Sequence, residues 1–357
     1  MKMNETFNVG ALDDGYGDVK YDSKGTPALI PSFVTSFKDK PKDDFSSNSS
    51  LNYLASEIEG KRYVVGDYAM KLDPNIRWVG GENKHADNRF PILLKSTLGL
   101  MSYGSHEVID TLMMNLPIKY DTPERRTALT QLAEGTHEVG ISTDGKHFIK
   151  KVITVESVDI KKQPFGSICD VILDPAGEIT DKEIAKGFNV IVDVGARTLN
   201  ILTVDALEEQ AELSTQSNDG MFTAYGQVGS YLERELGVII PDGKLPQIIR
   251  AGELKNRDIS PLIEMAYENQ ANNILTILDK VLINSWAFVT SVIFTGGGAD
   301  KQLLQPYFKK AMEHRVNTIF LDRYSNVRGL RKYGIRQAKR NSKRSGIKVH
   351  VGNYEKQ

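Results

Sequence analysis

The chain has 357 residues, with 45 Lys and Arg against 46 Asp and Glu and a formal net charge of −1 at pH 7. That length holds about two domains with their own cores, and 40% hydrophobic with 25% charged residues excludes a disordered or fibrous chain. Near-neutrality argues against wholesale nucleic-acid binding, the lone Cys169 excludes an internal disulfide and fits a reducing cytoplasm, and no run reaches the ~18 apolar residues of a membrane span.

Phe7 to Leu12 is an apolar run that stops at Asp13-Asp14-Gly15-Tyr16-Gly17-Asp18 and resumes at Val19 to Tyr21. Strand, glycine turn, strand is the economical reading. A further strand over Ala28 to Val34 is interrupted by Pro31, and the serine-rich stretch from Lys38 to Ser50 has no periodicity and predicts a solvated loop. Lys61 to Gly66 predicts a short strand, Pro91 to Tyr103 a buried helix, Val108 to Leu116 a core strand and Glu124 to Glu134 a helix. Val152 to Ile160 is strand-like. Thr180-Asp-Lys-Glu183 has capping-box spacing, so a short helix should end near Gly187. Phe188 to Val194 and Thr198 to Val204 predict strands, Gly226 to Leu236 and Ile259 to Val281 helices, and Ser291 to Thr295 a strand that runs into Gly296-Gly297-Gly298. Strands and helices in this alternation define an α/β protein.

Two of these segments share one grammar. Asp13-Asp14-Gly15 and Asp193-Val194-Gly195 each close a buried strand with an aspartate and place a glycine two residues later, before a second strand. Such a turn suits polyphosphate, because glycine lets backbone N–H groups approach anionic oxygens. The strand-end carboxylate suits Mg²⁺, held through its water shell because that ion dehydrates reluctantly. Lys20 adds positive charge beside the first turn, and Thr198 adds a hydroxyl beside the second. One Asp-x-Gly is ordinary turn chemistry, but two, one per half of the chain, make a pair. The glycine triplet Gly296 to Gly298 lets a ligand lie on bare backbone, and a helix beginning after it would aim its N-terminus at that ligand. Neither a P-loop nor a dinucleotide fingerprint is present.

With these three motifs in this order the chain resembles the actin-like ATPase superfamily, the two turns being its phosphate-1 and phosphate-2 motifs and the triplet its adenosine motif. Lys162-Gln163-Pro164-Phe165-Gly166-Ser167 is similar to the first connecting motif, and Ser325 to Gly329 with Tyr333-Gly334 to the second. Within the superfamily the likeness is greatest to ParM-type plasmid segregation proteins of Gram-positive bacteria. It runs from about residue 8 to 336, and Ile30-Pro31-Ser32, Val65-Gly66-Asp67 and Asn115-Leu116-Pro117 share in it. Asp14 departs from the family, which more often has an apolar or aromatic residue there. Arg197 departs too, in a turn usually made of small residues.

The resemblance implies an actin-like fold, two domains of ribonuclease-H-like topology around a nucleotide cleft. Domain I would cover 1–186 with an inserted subdomain at about 32–90. Domain II would cover 187–336 with a helical insert at about 220–285, and a basic tail would follow at 337–357. ATP or GTP would contact Asp13, Gly15, Tyr16, Gly17, Lys20, Gly195, Ala196, Arg197, Thr198, Asn200 and Gly296 to Gly298. Mg²⁺ would lie between Asp13 and Asp193, with Gln163 orienting the attacking water and Asp193 as its catalytic partner. The implied function is a nucleotide triphosphatase that polymerises with bound nucleotide, disassembles after hydrolysis and segregates plasmid DNA through a DNA-binding adaptor, without a membrane. A small-molecule kinase of the same superfamily and a cell-shape actin filament are the competing functions. The six histidines are scattered and suggest no metal site, Cys169 reads as an inert thiol, and Trp78 and Trp286 read as packing residues. From Arg328 to Lys348 there are nine Lys or Arg and no Asp or Glu. That block reads either as a solvated helix face or as an electrostatic surface for a partner.

Overall fold

The computed structural model describes residues 5–39, 52–73, 75–80, 84–241, 244–345 and 349–350. Two sheets are built to one plan. In the first, the order is Val158–Lys162, Thr111–Leu116, Val9–Asp14, Asp18–Asp22, Ala28–Pro31. The last three strands form an antiparallel meander and the first two add in parallel. In the second, Phe188–Val194 and Leu199–Asp205 are antiparallel, Val289–Thr295 and Asn317–Phe320 add in parallel, and Glu208–Glu209 and Thr215–Ser217 pair with the second strand. This is the α/β, ribonuclease-H-like order expected, present twice.

The leading strands are apolar on both faces because both faces are covered, as parallel sheets require. Leu12, Leu112 and Met114 pack with Leu93, Leu94 and Leu98 of the helix Phe90–Met101. On the other face Val9, Ala11 and Met113 pack with Val327, Leu330 and Ile335 of the helix Ser325–Ser345. In the second sheet Val190, Val192 and Val194 face the helices Met221–Leu236 and Ser260–Val281, while Ile191, Leu202 and Ile293 face Ile168, Cys169 and Ile172 of the helix Phe165–Ile172. Each fully buried Leu, Ile or Val contributes about 1.5–3 kcal/mol.

The two connecting helices are exchanged. Phe165–Ile172 leaves the first sheet and packs on the second; Ser325–Ser345 leaves the second and packs on the first. They cross backbone to backbone. A side chain at Gly166 would strike the Asn326 carbonyl, and one at Gly329 would strike the Gly166 carbonyl. Beside the crossing, the hydroxyls of Ser167, Thr295 and Ser325 form a closed buried triangle with edges of 3.3, 3.0 and 2.6 Å.

A third sheet runs Val34–Ser36, Lys61–Val65, Ala55–Ile58, Gly135–Ser142, Ile149–Val155, His106–Ile109. Half of it comes from residues 106–155, beyond the segment expected to be inserted at 32–90. The expected strand over Ala28 to Val34 is two strands in different sheets, parted after Pro31, and the expected strand from Val108 is split between two sheets at Asp110. The hairpin of Gly135–Ser142 with Ile149–Val155 replaces the single strand expected at Val152 to Ile160, whose end belongs to Val158–Lys162. Residues 40–51, most of the expected serine-rich loop, lie outside the described residues. The short helix is Lys182–Lys186, but its cap is Asp181, whose carboxylate accepts from Ile184 N; Thr180 bonds the Ile172 carbonyl instead.

The C-terminal helix continues past residue 336 to Ser345, so the start of the expected tail is helical. Its cations do have counter-charges, supplied by the body of the protein. Arg328 grips Asp170 and Asp322, Lys332 reaches Asp170 at 2.7 Å, Arg331 meets Asp22 and the Val9 carbonyl, Arg336 the Gly177 carbonyl and Lys339 Glu178. Five of the nine basic residues therefore bolt this helix down.

Candidate functional site

The sheets face each other across a cleft that opens to solvent. Equivalent strands of the two sheets deliver Asp13 and Asp193 to it. Asp13 is 4% exposed. Its Oδ1 accepts from Asn115 Nδ2 and Gln163 Nε2, each at 2.9 Å, and its Oδ2 from Lys20 Nζ at 3.3 Å. Lys20 comes to it by register, being the cross-strand partner of Asp13. Burial alone would lower the Lys20 pKa, but Asp13, Asp18 and Asp193 together hold it above the ordinary lysine value. The Asp193 carboxyl is pushed up to about 7, by enclosure first and then by the Asp13 carboxylate, with Lys20 partly opposing.

The turns that follow touch. A side chain on Gly17 would meet Ala196 Cβ at 3.0 Å, so the two loops meet across the cleft. Gly15 has no room for a side chain against the Asp18 carbonyl, 2.6 Å from its would-be Cβ. At the second turn, Met221 N and Phe222 N, the first donors of Met221–Leu236, bond the Gly195 and Ala196 carbonyls, so the helix start holds the turn in shape. Gly296 has φ +85° and lies against Asp193 and Val194, where any side chain would collide.

Most of the residues singled out in the sequence converge here. Asp13, Gly15, Tyr16, Gly17, Lys20, Gln163, Asp193, Gly195, Ala196, Thr198 and Gly296 to Gly298 all line the cleft. Two others do not. Asn200 is fully buried, bonding Ile118 N and Thr198 Oγ1. Arg197 turns its guanidinium onto Tyr16, donating to the phenol oxygen at 3.0 Å. No α-helix follows the glycine triplet directly: Gly297–Ala299 is a 3-10 turn, and the next helix begins at Gln305.

The sequence reasoning missed the walls. Met221, Tyr225, Leu303, Arg323, Pro117, Asp14 and Asp18 also line the cleft. Arg323 lies 3.2 Å from where a Gly297 side chain would begin and 3.5 Å from Asp18, joining the two halves. Asn115 and Lys84 support the first turn without lining the cleft. Asn115-Leu116-Pro117 was visible as part of the resemblance, and Asp14 and Asp18 lie within the first turn itself; the others carry no spacing signal, because only the fold brings them together.

Two sheets of one topology, exchanged connecting helices and paired aspartate turns over a cleft define an actin-like architecture. Residues 11–166 match the family model described as actin like proteins N terminal domain, and residues 191–310 match archaeal actin homologue MreB-like, C-terminal. The chain belongs to the actin-like ATPase superfamily. An archaeal actin homolog of Thermoplasma acidophilum is 24% identical over 310 residues, covering 82% of this chain and 88% of that protein. A 15-stranded ParM filament from Clostridium botulinum matches with a TM-score of 0.74 at 19% identity, over 92% of this chain and 99% of that one. An archaeal actin homolog crystallised with ADP matches with a TM-score of 0.71 at 19% identity, over 94% and 100%.

Proposed function

We propose that this protein is a filament-forming nucleotide triphosphatase that binds ATP or GTP with Mg²⁺ in this cleft, hydrolyses it, and segregates plasmid DNA in the cytoplasm through a DNA-binding adaptor. The observation that carries the reading is the facing of Asp13 and Asp193, delivered by equivalent strands, with the glycine-lined turns between them. Polymerisation is supported by the likeness to a ParM filament, and nucleotide binding by the likeness to an ADP complex.

Two carboxylates suit Mg²⁺, an ion that completes its shell with water and phosphate oxygens rather than with an all-protein cage. Among the described residues no group of three His, Cys, Asp or Glu side chains forms such a cage. Enclosure lifts Asp193 first and the Asp13 carboxylate adds to it, and a divalent cation between the carboxylates would relieve that repulsion. Bound there, the ion would neutralise charge developing on the phosphates. Gly15, Gly17, Gly195 and Thr198 would hold those phosphates, Lys20 would add positive charge, and the base would rest on Gly296 to Gly298. Gln163 Nε2 is spent on Asp13 and Asn115, which leaves its amide oxygen to orient a water. Orientation suffices, since phosphoryl transfer asks the protein mainly for positioning and charge.

Sedimentation with and without ATP or GTP and Mg²⁺ tests the reading. The protein should pellet with a triphosphate and return to the supernatant as phosphate is released. Absence of pelleting under every nucleotide condition rejects the polymer and favours a small-molecule kinase.

A further inference from the structure

Lys84 is a buried cation outside the expected site. It opens the short 3-10 turn Lys84–Ala86 that precedes the helix Phe90–Met101, and it is 7% exposed. Its Nζ lies 2.5 Å from Asp14 Oδ1 and 2.6 Å from the Gly15 carbonyl oxygen, with Ser32 Oγ at 3.5 Å. Ser32 donates to the same Gly15 carbonyl at 3.3 Å, and its N–H bonds the Gly17 carbonyl at 2.9 Å. The first aspartate turn is thus pinned from behind by two side chains that do not line the cleft. Asp14, one of the two departures from the family pattern, is the acid that balances Lys84.

We propose that Lys84 is a positioning residue for the phosphates of the bound nucleotide: by drawing the Gly15 carbonyl out of the cleft it turns the Tyr16 N–H into it. The reason is peptide geometry. Carbonyl and N–H of one trans peptide plane point in opposite directions, so the Gly15 carbonyl cannot move without swinging the Tyr16 amide. Gly15 has no side chain to hold this plane, and Lys84 supplies the missing restraint as a charge-assisted bond. Burying the ammonium is tolerable because Asp14 and two neutral oxygens satisfy it. The ligand class that profits is a nucleoside di- or triphosphate; a nucleoside without phosphate gains nothing from the Tyr16 amide. This inference rests on the nucleotide reading above.

The test uses Asp14→Leu with Lys84→Met in one protein, so that neither charge is left buried alone and net charge is unchanged. Binding of ATP, ADP and adenosine (and the guanine series) is measured calorimetrically beside the parent. The double variant should fold with a near-parental circular dichroism spectrum, lose about ten- to hundredfold in affinity for di- and triphosphates, and keep its adenosine affinity. Ser32→Ala, which removes only the weaker pin, should show a smaller loss in the same pattern. Parental ATP affinity in the folded double variant, or equal losses for ATP and adenosine, overturns the assignment. If the double variant does not fold, Ser32→Ala decides alone, and an unchanged ATP-to-adenosine ratio there overturns it. A parent that binds no nucleotide of either series overturns the nucleotide reading itself, a different result from a binding parent with an indifferent variant.

Discussion

Trp78 and Phe222 pack against each other with ring centroids 4.7 Å apart and planes tilted by 46°. Trp78 is held on the first domain's side by Phe33 at 5.0 Å and by Arg89, which donates to the Trp78 carbonyl. Phe222 sits in the first turn of Met221–Leu236, and its own N–H is one of the donors that shape the second aspartate turn. An aromatic pair of this kind contributes about 0.5–1.5 kcal/mol beyond its burial, enough to bias a cleft between open and closed forms.

With only two tryptophans in the chain, Trp286→Phe leaves Trp78 as the sole indole emitter. Adding nucleotide and Mg²⁺ to that variant should shift its emission, and Phe222→Ala should reduce the shift and weaken binding about threefold to tenfold. Emission that ignores nucleotide in a protein that binds it would mean that the pair does not report on closure.

Asp193→Asn should separate chemistry from stability. Turnover should fall about a hundredfold or more, because one of the two carboxylates that would hold the Mg²⁺ at the phosphates is lost. The same change removes a carboxylate that is enclosed and repelled by Asp13. Without metal or nucleotide the variant should therefore resist urea better than the parent, by roughly 1–3 kcal/mol at neutral pH. Turnover surviving the substitution unaltered would remove Asp193 from the mechanism.

Gly329→Ala should be among the most damaging single-methyl insertions in this chain. The new carbon has no space against the Gly166 backbone, and overpacking of a tight contact costs about 1–3 kcal/mol or more. A denaturant midpoint close to the parent's would show that the helix crossing yields more easily than its geometry implies.

His137 should make stability sensitive to mild acid. It is buried, its ring bonds the Ala133 carbonyl, and its pKa is lowered, by burial first and with Lys95 adding to the effect. Because the folded value lies below the unfolded one, the unfolded chain takes up the proton first. Stability should then be fully present above about pH 6.5 and decline as pH falls below it. His137→Gln should flatten that part of the curve; identical slopes between pH 5 and 7 would exonerate the histidine.

The centre of the site was legible in the sequence because its residues are close together along the chain. Asp13 with Gly15, Asp193 with Gly195, and the glycine triplet each announce a turn through local chemistry. Lys84, Arg323 and Tyr225 were not legible, since the first reaches the back of the aspartate turn and the others the cleft from different elements with nothing local to mark them. Asn200 misled for a related reason: its place next to the second turn suggested a ligand contact, while the pleat points it into the protein. In the fold, the apolar central strands were plain. Gly135–Ser142 was missed because only His137, Val139, Ile141 and Ser142 turn inward while Thr136 and Glu138 face water, which dilutes its apolar signal although Asp144-Gly145 marks the hairpin. The basic C-terminal block looked unbalanced because its partners Asp22, Asp170 and Glu178 lie far away in sequence.

The cleft is a property of neither sheet alone. Each contributes one strand-end carboxylate and one glycine-lined loop, and a ligand that needs both would find no partial site on either half. Such a ligand makes the halves thermodynamically interdependent, since unfolding either one forfeits its whole binding free energy. Saturation would therefore add to the coupling that the exchanged helices already impose, visible as a calorimetric transition that moves upward and sharpens as ligand is added.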